Sequence, residues 1–229
     1  MSTTIPAAGI RARFPLNRKN VGWGIMLVLA TIILLVDLPL LSPTHPYRWY
    51  HFKVRYALIP HWIFGSVALL SGPFQFSSRI RRQYPGIHRI LGRYYVASVL
   101  IAAPLGIWIT LLGPKDLFYS IGIDTHAAVW FICTLMAFIT ARNRQIPEHR
   151  QWMVRSYVLT FSFIATRVIG PFWMLIGFVH GPHEYGLVDT GLNVVYLLVA
   201  DIGLNWKQIT TRRPGLANPR AAHAADQSG

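Results

Sequence analysis

Four histidines, His61, His88, His126 and His149, carry the clearest chemical pattern in this chain. His88 and His149 sit in "PGIHRILGR" and "PEHRQWMVR", each preceded closely by proline, followed by arginine, and placed at the threshold of an apolar run. His61 and His126 lie near the starts of the preceding apolar runs, 27 and 23 residues upstream of their counterparts. These separations differ by about one helical turn. Neutral imidazole is a good axial ligand for iron. Histidines matched in this way predict two stacked bis-imidazole sites, with His61 facing His126 and His88 facing His149, each suited to a b-type haem.

The elements that must position them are membrane spans. The chain is 53% hydrophobic and only 13% charged, with a mean hydropathy of +0.38, whereas soluble domains carry about 25% charged residues. Six apolar segments, at roughly 22–41, 56–76, 91–112, 121–141, 153–178 and 187–205, approach the ~20 residues that cross a ~30 Å hydrocarbon layer as a helix. Backbone groups in lipid must be satisfied within the segment, so each is read as an α-helix. The first, "WGIMLVLATIILLVDLPLL", is too long for a signal-peptide core and lacks a small-residue cleavage site. The expected fold is an all-α integral membrane protein with six transmembrane helices, the second to fifth forming a central four-helix bundle. Residues 1–21 and 208–229 flank a membrane domain over 22–207, and the latter tail reads as disordered because it lacks apolar periodicity.

Lysine and arginine set the orientation. The N-terminal segment, the 77–93 and 141–155 loops and the C-terminal tail hold 17 of them, against 4 in the opposite loops. Both termini are therefore expected in the cytoplasm. The formal charge of +14 is distributed between apolar segments without a continuous stripe, which argues against nucleic acid. The lone cysteine, Cys133, excludes a disulfide or a Cys-based metal site within one chain, and its place in an apolar run suggests packing. Trp23, Trp152 and Trp206 are expected at the inner interface, and Trp62, Trp108, Trp130 and Trp173 toward the outer one.

The second–third and fourth–fifth segments read as a repeated hairpin, of the kind membrane proteins relate by a pseudo-two-fold axis along the membrane normal. Such an axis sets the paired histidines opposite each other in a bundle core. One, two and three turns beyond His61 stand Gly65, Ala68 and Gly72, and one turn beyond His88 stands Gly92, all small enough to admit a flat ring. An intramembrane arginine costs roughly 2.5–3.5 kcal/mol on insertion scales and normally has a partner. Arg167, 18 residues after His149 and thus five turns along the same face, is placed to pair with a propionate of an outer haem. Arg89, Arg93 and Arg155 stand in the same relation to an inner one.

Other readings compete. Each histidine could be an interfacial residue, the glycines could serve close helix packing, Arg167 could pair with Asp37, and Asp201 could neutralise Arg155 or Arg150. "HGPHE" at 180–184 reads as a surface loop rather than a metal cluster. No nucleotide-binding glycine loop, nucleophile elbow, HExxH or paired catalytic carboxylates occur, and 8 acidic residues give a proton-coupled transporter little to work with.

"HWIFGSVALLSGPFQF" at 61–76, "HRILGRYYV" at 88–96, "HAAVW" at 126–130 and "HRQWMVRSYVLTFSFIATR" at 149–167 together resemble a bacterial membrane family known as domain of unknown function 2306. That resemblance implies the bacterial cytoplasmic membrane and no activity. A looser resemblance is to the six-helix, two-haem transmembrane cytochromes of the b561 type. It implies the same pairing, His61 with His126 and His88 with His149, although His88 and His149 stand nearer the membrane surface than such ligands should. The expectation is a carrier that moves electrons across the membrane through two b-type haems ~20 Å apart, between a donor and an acceptor such as a quinol or a small reductant. The rival is a non-redox assembly partner or small transporter, and a third reading places a quinone or a metal between one histidine pair.

Overall fold

The computed structural model describes residues 18–37, 48–113, 116–177 and 179–210. Among these it is all-helical: α1 (Arg18–Asp37), α2 (Arg48–Phe76), α3 (Ser78–Gln83), α4 (Pro85–Leu112), α5 (Leu117–Arg142), α6 (Ile146–Leu175) and α7 (Pro182–Thr210). Among the described residues four helices are long and apolar enough to cross a membrane: Val54–Phe76, Pro85–Leu112, Leu117–Arg142 and His183–Trp206. The helices extend past the apolar runs at several ends, and the short α3 lies in the basic 77–93 segment, which carries no apolar periodicity. Of the expected C-terminal tail, residues 208–210 continue α7, and 211–229 lie outside the described residues along with most of the N-terminal segment.

Local chemistry sets the helix ends. Proline opens α4 at Pro85 and α6 at Pro147, where its missing N–H removes no intrahelical bond. Asp116 caps α5, its carboxylate accepting from the Tyr119 N–H at 2.8 Å. The α5–α6 turn closes with the Gln145 N–H on the Thr140 carbonyl (2.9 Å) and the Arg144 N–H on that of Ala141 (3.1 Å). This pairing places Arg144 at φ 58°, where glycine is usual. Gly177, at φ 70°, ends α6 in the same conformation. Pro60, Pro73 and Pro104 lie inside helices, tolerable where neighbouring helices and waters re-satisfy the backbone.

In cross-section, α2 packs on α4, α4 on α5, α5 on α6, and α6 more loosely on α2. Helices α2 and α5 therefore form one diagonal, and α4 and α6 the other. Helix α7 lies against α5 and α6, and α1 against α2 and α6. The core is built largely from alanines, Ala68, Ala102, Ala103, Ala127 and Ala137, around two fully buried large rings, Tyr95 and Trp130. Small residues let backbones approach, which is how helices associate where lipid is as apolar as leucine. The closest approach is between α5 and α7. A methyl group on Gly122 would lie 2.5 Å from the Gly186 carbonyl oxygen, and one on Gly186 would lie 2.3 Å from that of Phe118.

A polar network crosses this core. The Tyr95 hydroxyl lies 2.7 Å from Ser156 Oγ and 2.8 Å from Thr160 Oγ1. Trp130 Nε1 donates to Thr160 Oγ1 (2.9 Å), and Thr134 Oγ1 meets Ser156 Oγ at 2.6 Å. Thr160 sends its own hydrogen to the Ser156 carbonyl (3.0 Å), so its oxygen accepts from both Trp130 and Tyr95. Trp130 is thus a core residue, not the outer-interface marker expected from its depth. Trp108 and Trp206, in contrast, are largely exposed to the surroundings of the bundle.

Candidate functional site

The histidines stand on the two diagonals. His61 (α2) and His126 (α5) share one; His88 (α4) and His149 (α6) share the other. Cross-helix bonds fix their heights. Thr110 donates to Asp124, which ties the C-terminal end of α4 to α5 two residues from His126. His61 meets α4 lower, at Ala102 and Gly106, so it lies about one turn below His126. His88 and His149 occupy the opposite end, within electrostatic reach of each other and of Arg81.

Each imidazole is held through Nδ1. His61 Nδ1 lies 2.8 Å from the Ala102 carbonyl oxygen, and His149 Nδ1 lies 2.8 Å from that of Ala137. A carbonyl only accepts, so both rings carry their hydrogen on Nδ1 and keep the Nε2 lone pair. His126 turns Nδ1 to an acceptor by another route. Its Nδ1 faces Asn193 Oδ1 on α7, while Asn193 Nδ2 donates to Asp189 Oδ2 at 3.3 Å. Ser162 Oγ lies 3.4 Å from His126 Nε2, but its hydrogen goes to the Leu159 carbonyl at 2.6 Å. The Phe163 ring lies tilted against the imidazole with centroids 5.0 Å apart. A metal-binding histidine normally donates its other N–H to a carbonyl or carboxylate in this manner.

His88 differs. With the Gln75 amide oxygen accepting from the Gly92 N–H (3.1 Å), its nitrogen donates to His88 Nδ1 (3.0 Å) and to the His88 carbonyl (3.3 Å). Nδ1 is then an acceptor and Nε2 carries the hydrogen, so ligation through Nε2 would require the amide to turn over. Two of the expected ring slots are also filled by the chain itself. The space over Gly72 holds the Tyr157 ring, 2.0 Å from where a methyl group would stand, and Gly92 lies against Gln75. Gly65 has nothing within 4 Å, and the space beside Gly106 is taken by His61. The Trp62 indole N–H, adjacent in sequence to His61, is buried with no acceptor, as is the Tyr196 hydroxyl of α7.

The arginines divide. Arg155 forms an ion pair with Asp201 of α7, Nε and an Nη both 2.8 Å from Oδ1, and lies over the Trp152 ring. This is the neutralisation weighed as an alternative to a propionate contact. Arg93 is exposed, and Arg89 bonds the Pro85 carbonyl at 3.3 Å. The side chains of Arg167 and Asp37 lie outside the described residues, so neither proposed partner of Arg167 is tested. Cys133 is buried in the apolar core. Of the 180–184 stretch expected as a surface loop, Pro182–Glu184 open α7; His183 Nδ1 stands 3.6 Å from Asp116 and its ring lies tilted against Phe118.

Asp124, Asp189 and Asn193 escaped the sequence reading, which counted Asp37 and Asp201 as the acidic residues available inside spans. The usable signal was "DTGLN", which sets Asp189 and Asn193 one turn apart on a single helix face.

A family model described as "Predicted membrane protein (DUF2306)" matches residues 58–204, which includes all four histidines and extends through most of α7. No curated protein and no solved structure matches the chain.

Proposed function

We propose that this chain, which belongs to the DUF2306 family of predicted membrane proteins, is a six-span protein of the bacterial cytoplasmic membrane with both termini inside, holding b-type haem between diagonally opposed histidines. In this reading α1 and α6 complete the spans, and the basic 77–93 and 141–155 loops face the cytoplasm. The observation that carries it is the neighbour order of the helices. It puts α2 across from α5 and α4 across from α6, the arrangement that two bis-imidazole sites on His61/His126 and His88/His149 require.

The outer pair fits best. His61 keeps Nε2 for a ligand, and His149 does so at the inner level, whereas His126 Nε2 is met by Ser162 Oγ at 3.4 Å, which would have to turn aside. The buried Trp62 N–H, orphaned at a cost of about 1–3 kcal/mol, is a donor that an acidic substituent of a bound ring would satisfy. The inner site asks more of the chain, because Gln75 must release His88 Nδ1. Haem, when bound, would supply one-electron chemistry at each level. The protein's part is to fix imidazole tautomers through Nδ1, exclude water with the Ala-rich core, and join the two levels through the Tyr95–Thr160–Trp130 network. The electron donor and acceptor belong to the class of lipid-soluble quinols or small reductants.

The test is haem stoichiometry in purified variants. His61→Ala and His126→Ala should each remove the outer haem and leave the inner one, halving the haem per chain. Unchanged content in both would reject those ligands. A second reading, a non-redox membrane protein, is favoured by the Tyr157 ring over Gly72 and by the Arg155–Asp201 pair, which serve packing without any cofactor. Folded protein without haem would establish it.

A further inference from the structure

The end of the bundle that carries α3 holds a set of cations that the chain leaves unneutralised. Residues 77–93 include five arginines, Arg79, Arg81, Arg82, Arg89 and Arg93, and no acidic residue. All five are exposed. Among the described residues the ion pairs are Arg155–Asp201 and His183–Asp116, so no acidic side chain described there pairs with any of the five. Arg79 and Arg89 are already ordered. Arg79 Nε donates to Gln83 Oε1 (3.1 Å) and Arg89 Nε to the Pro85 carbonyl (3.3 Å), which leaves their terminal Nη hydrogens for a ligand. Arg81 stands within electrostatic reach of His88, so α3 brings its charge up to the start of α4. No side chain caps that start, and the positive end of the α4 dipole adds to the field.

The neighbouring surface is apolar. Ile87, Ile90 and Tyr94 recur on one face of α4 with exposures of 49%, 54% and 61%, beside Arg89 and Arg93. These turns open the membrane-spanning stretch Pro85–Leu112. An anion that meets this surface with both its charge and an apolar part is an amphiphile. Guanidinium groups match phosphate oxygens in pairs, and clusters of roughly four to eight basic residues beside a span recognise acidic lipids. The α5–α6 turn is less suited, because Glu148 lies among its arginines and Arg142 is turned over the Phe138 ring.

We infer that α3 and the opening turns of α4 form a binding site for an acidic phospholipid. Arg81, Arg82 and Arg93 hold the headgroup phosphate, Arg79 and Arg89 supply further Nη hydrogens at the rim, and Ile87, Ile90 and Tyr94 lie along the acyl chains. Helix α3 is suited to this because none of its residues is buried, so its arginines turn toward a ligand without disturbing the core. The site goes beyond the haem reading and needs only a bundle set in lipid. A lipid bound there relieves the repulsion among like charges and ties the connection between α2 and α4 to the membrane surface.

The test titrates phosphatidylglycerol or phosphatidylcholine into the delipidated full chain in a neutral detergent and counts bound lipid by native mass spectrometry. Phosphatidylglycerol should bind about tenfold or more tightly than phosphatidylcholine, and the difference should shrink as ionic strength rises. Removing one arginine from beside a headgroup should weaken binding about fivefold. The triple variant Arg81→Gln/Arg82→Gln/Arg93→Gln should therefore lose the preference, whereas Arg144→Gln/Arg150→Gln on the other turn should keep it. If the triple variant does not fold, Arg81→Gln and Arg93→Gln singly should each weaken phosphatidylglycerol about fivefold. Equal binding of the two lipids overturns the inference. So does equal weakening by the two sets of variants, which would reveal a diffuse field in place of a site. Inorganic phosphate that displaces phosphatidylglycerol at matching concentration would overturn the lipid assignment in favour of a free anion.

Discussion

Tyr95 shows what a single hydroxyl does in this bundle. It is fully buried, and its oxygen links Ser156 and Thr160 of α6 while Trp130 of α5 completes the network. Tyr95→Phe keeps the ring and strips the oxygen, leaving buried hydroxyls short of a partner. The expected loss is about 1–3 kcal/mol, read as a lower unfolding temperature in detergent, and no change would place the network outside the stability of the fold. Only part of this scale was legible in the sequence. The histidines stood out because imidazoles are rare in apolar runs and their heights follow from residue count. Trp130 had a legible height too, but its direction around the helix axis depends on which neighbours α5 packs against, so it was assigned to the interface when it belongs to the core. Asn193 and Asp189 were missed for the same reason. Their significance lies in a partner 67 and 63 residues away in sequence, and that relation appears only once α7 is docked.

At the scale of elements, hydropathy located the spans well and their ends poorly. Apolar residues mark where a helix is solvated by lipid, but backbone hydrogen bonding continues past that boundary. Helix α4 therefore begins at Pro85 and α6 at Ile146, a turn or more before their apolar runs. Helix α3 carries no apolar signal, being held by the Ser77 cap on the Ile80 N–H (3.4 Å). The α5–α7 crossing is the element contact with least freedom. Gly186→Ala drives a methyl group to 2.3 Å from a backbone oxygen that cannot yield without moving α5. Overpacking of this kind costs typically 1–3 kcal/mol, and here it also shifts Asn193 away from His126. The variant should lose thermal stability and, where haem is bound, lose it from the outer site first. A variant of wild-type stability would mean that the two helices do not touch at these glycines.

The whole molecule is polarised. Basic residues crowd the end that carries His88 and His149, while Asp116, Asp124, Glu184 and Asp189 gather at the end that carries His126. The proposed orientation can be read with cysteine labelling in intact cells, for which the buried native Cys133 gives little background. Arg82→Cys and Glu148→Cys should be protected from a membrane-impermeant maleimide and His180→Cys should react; the reverse pattern would invert the topology. That the histidines fall on opposite diagonals was foreseeable from the repeated hairpin, whereas the filling of Gly72 by Tyr157 and the capture of Arg155 by Asp201 were not, since each depends on how whole helices settle together. The central claim is that imidazoles across those diagonals hold haem, and its most direct test is the reduced-minus-oxidised visible spectrum of the purified wild-type chain from haem-sufficient cells. The account predicts the bands of low-spin bis-histidine haem at two per chain. A colourless preparation with native helical content would contradict it.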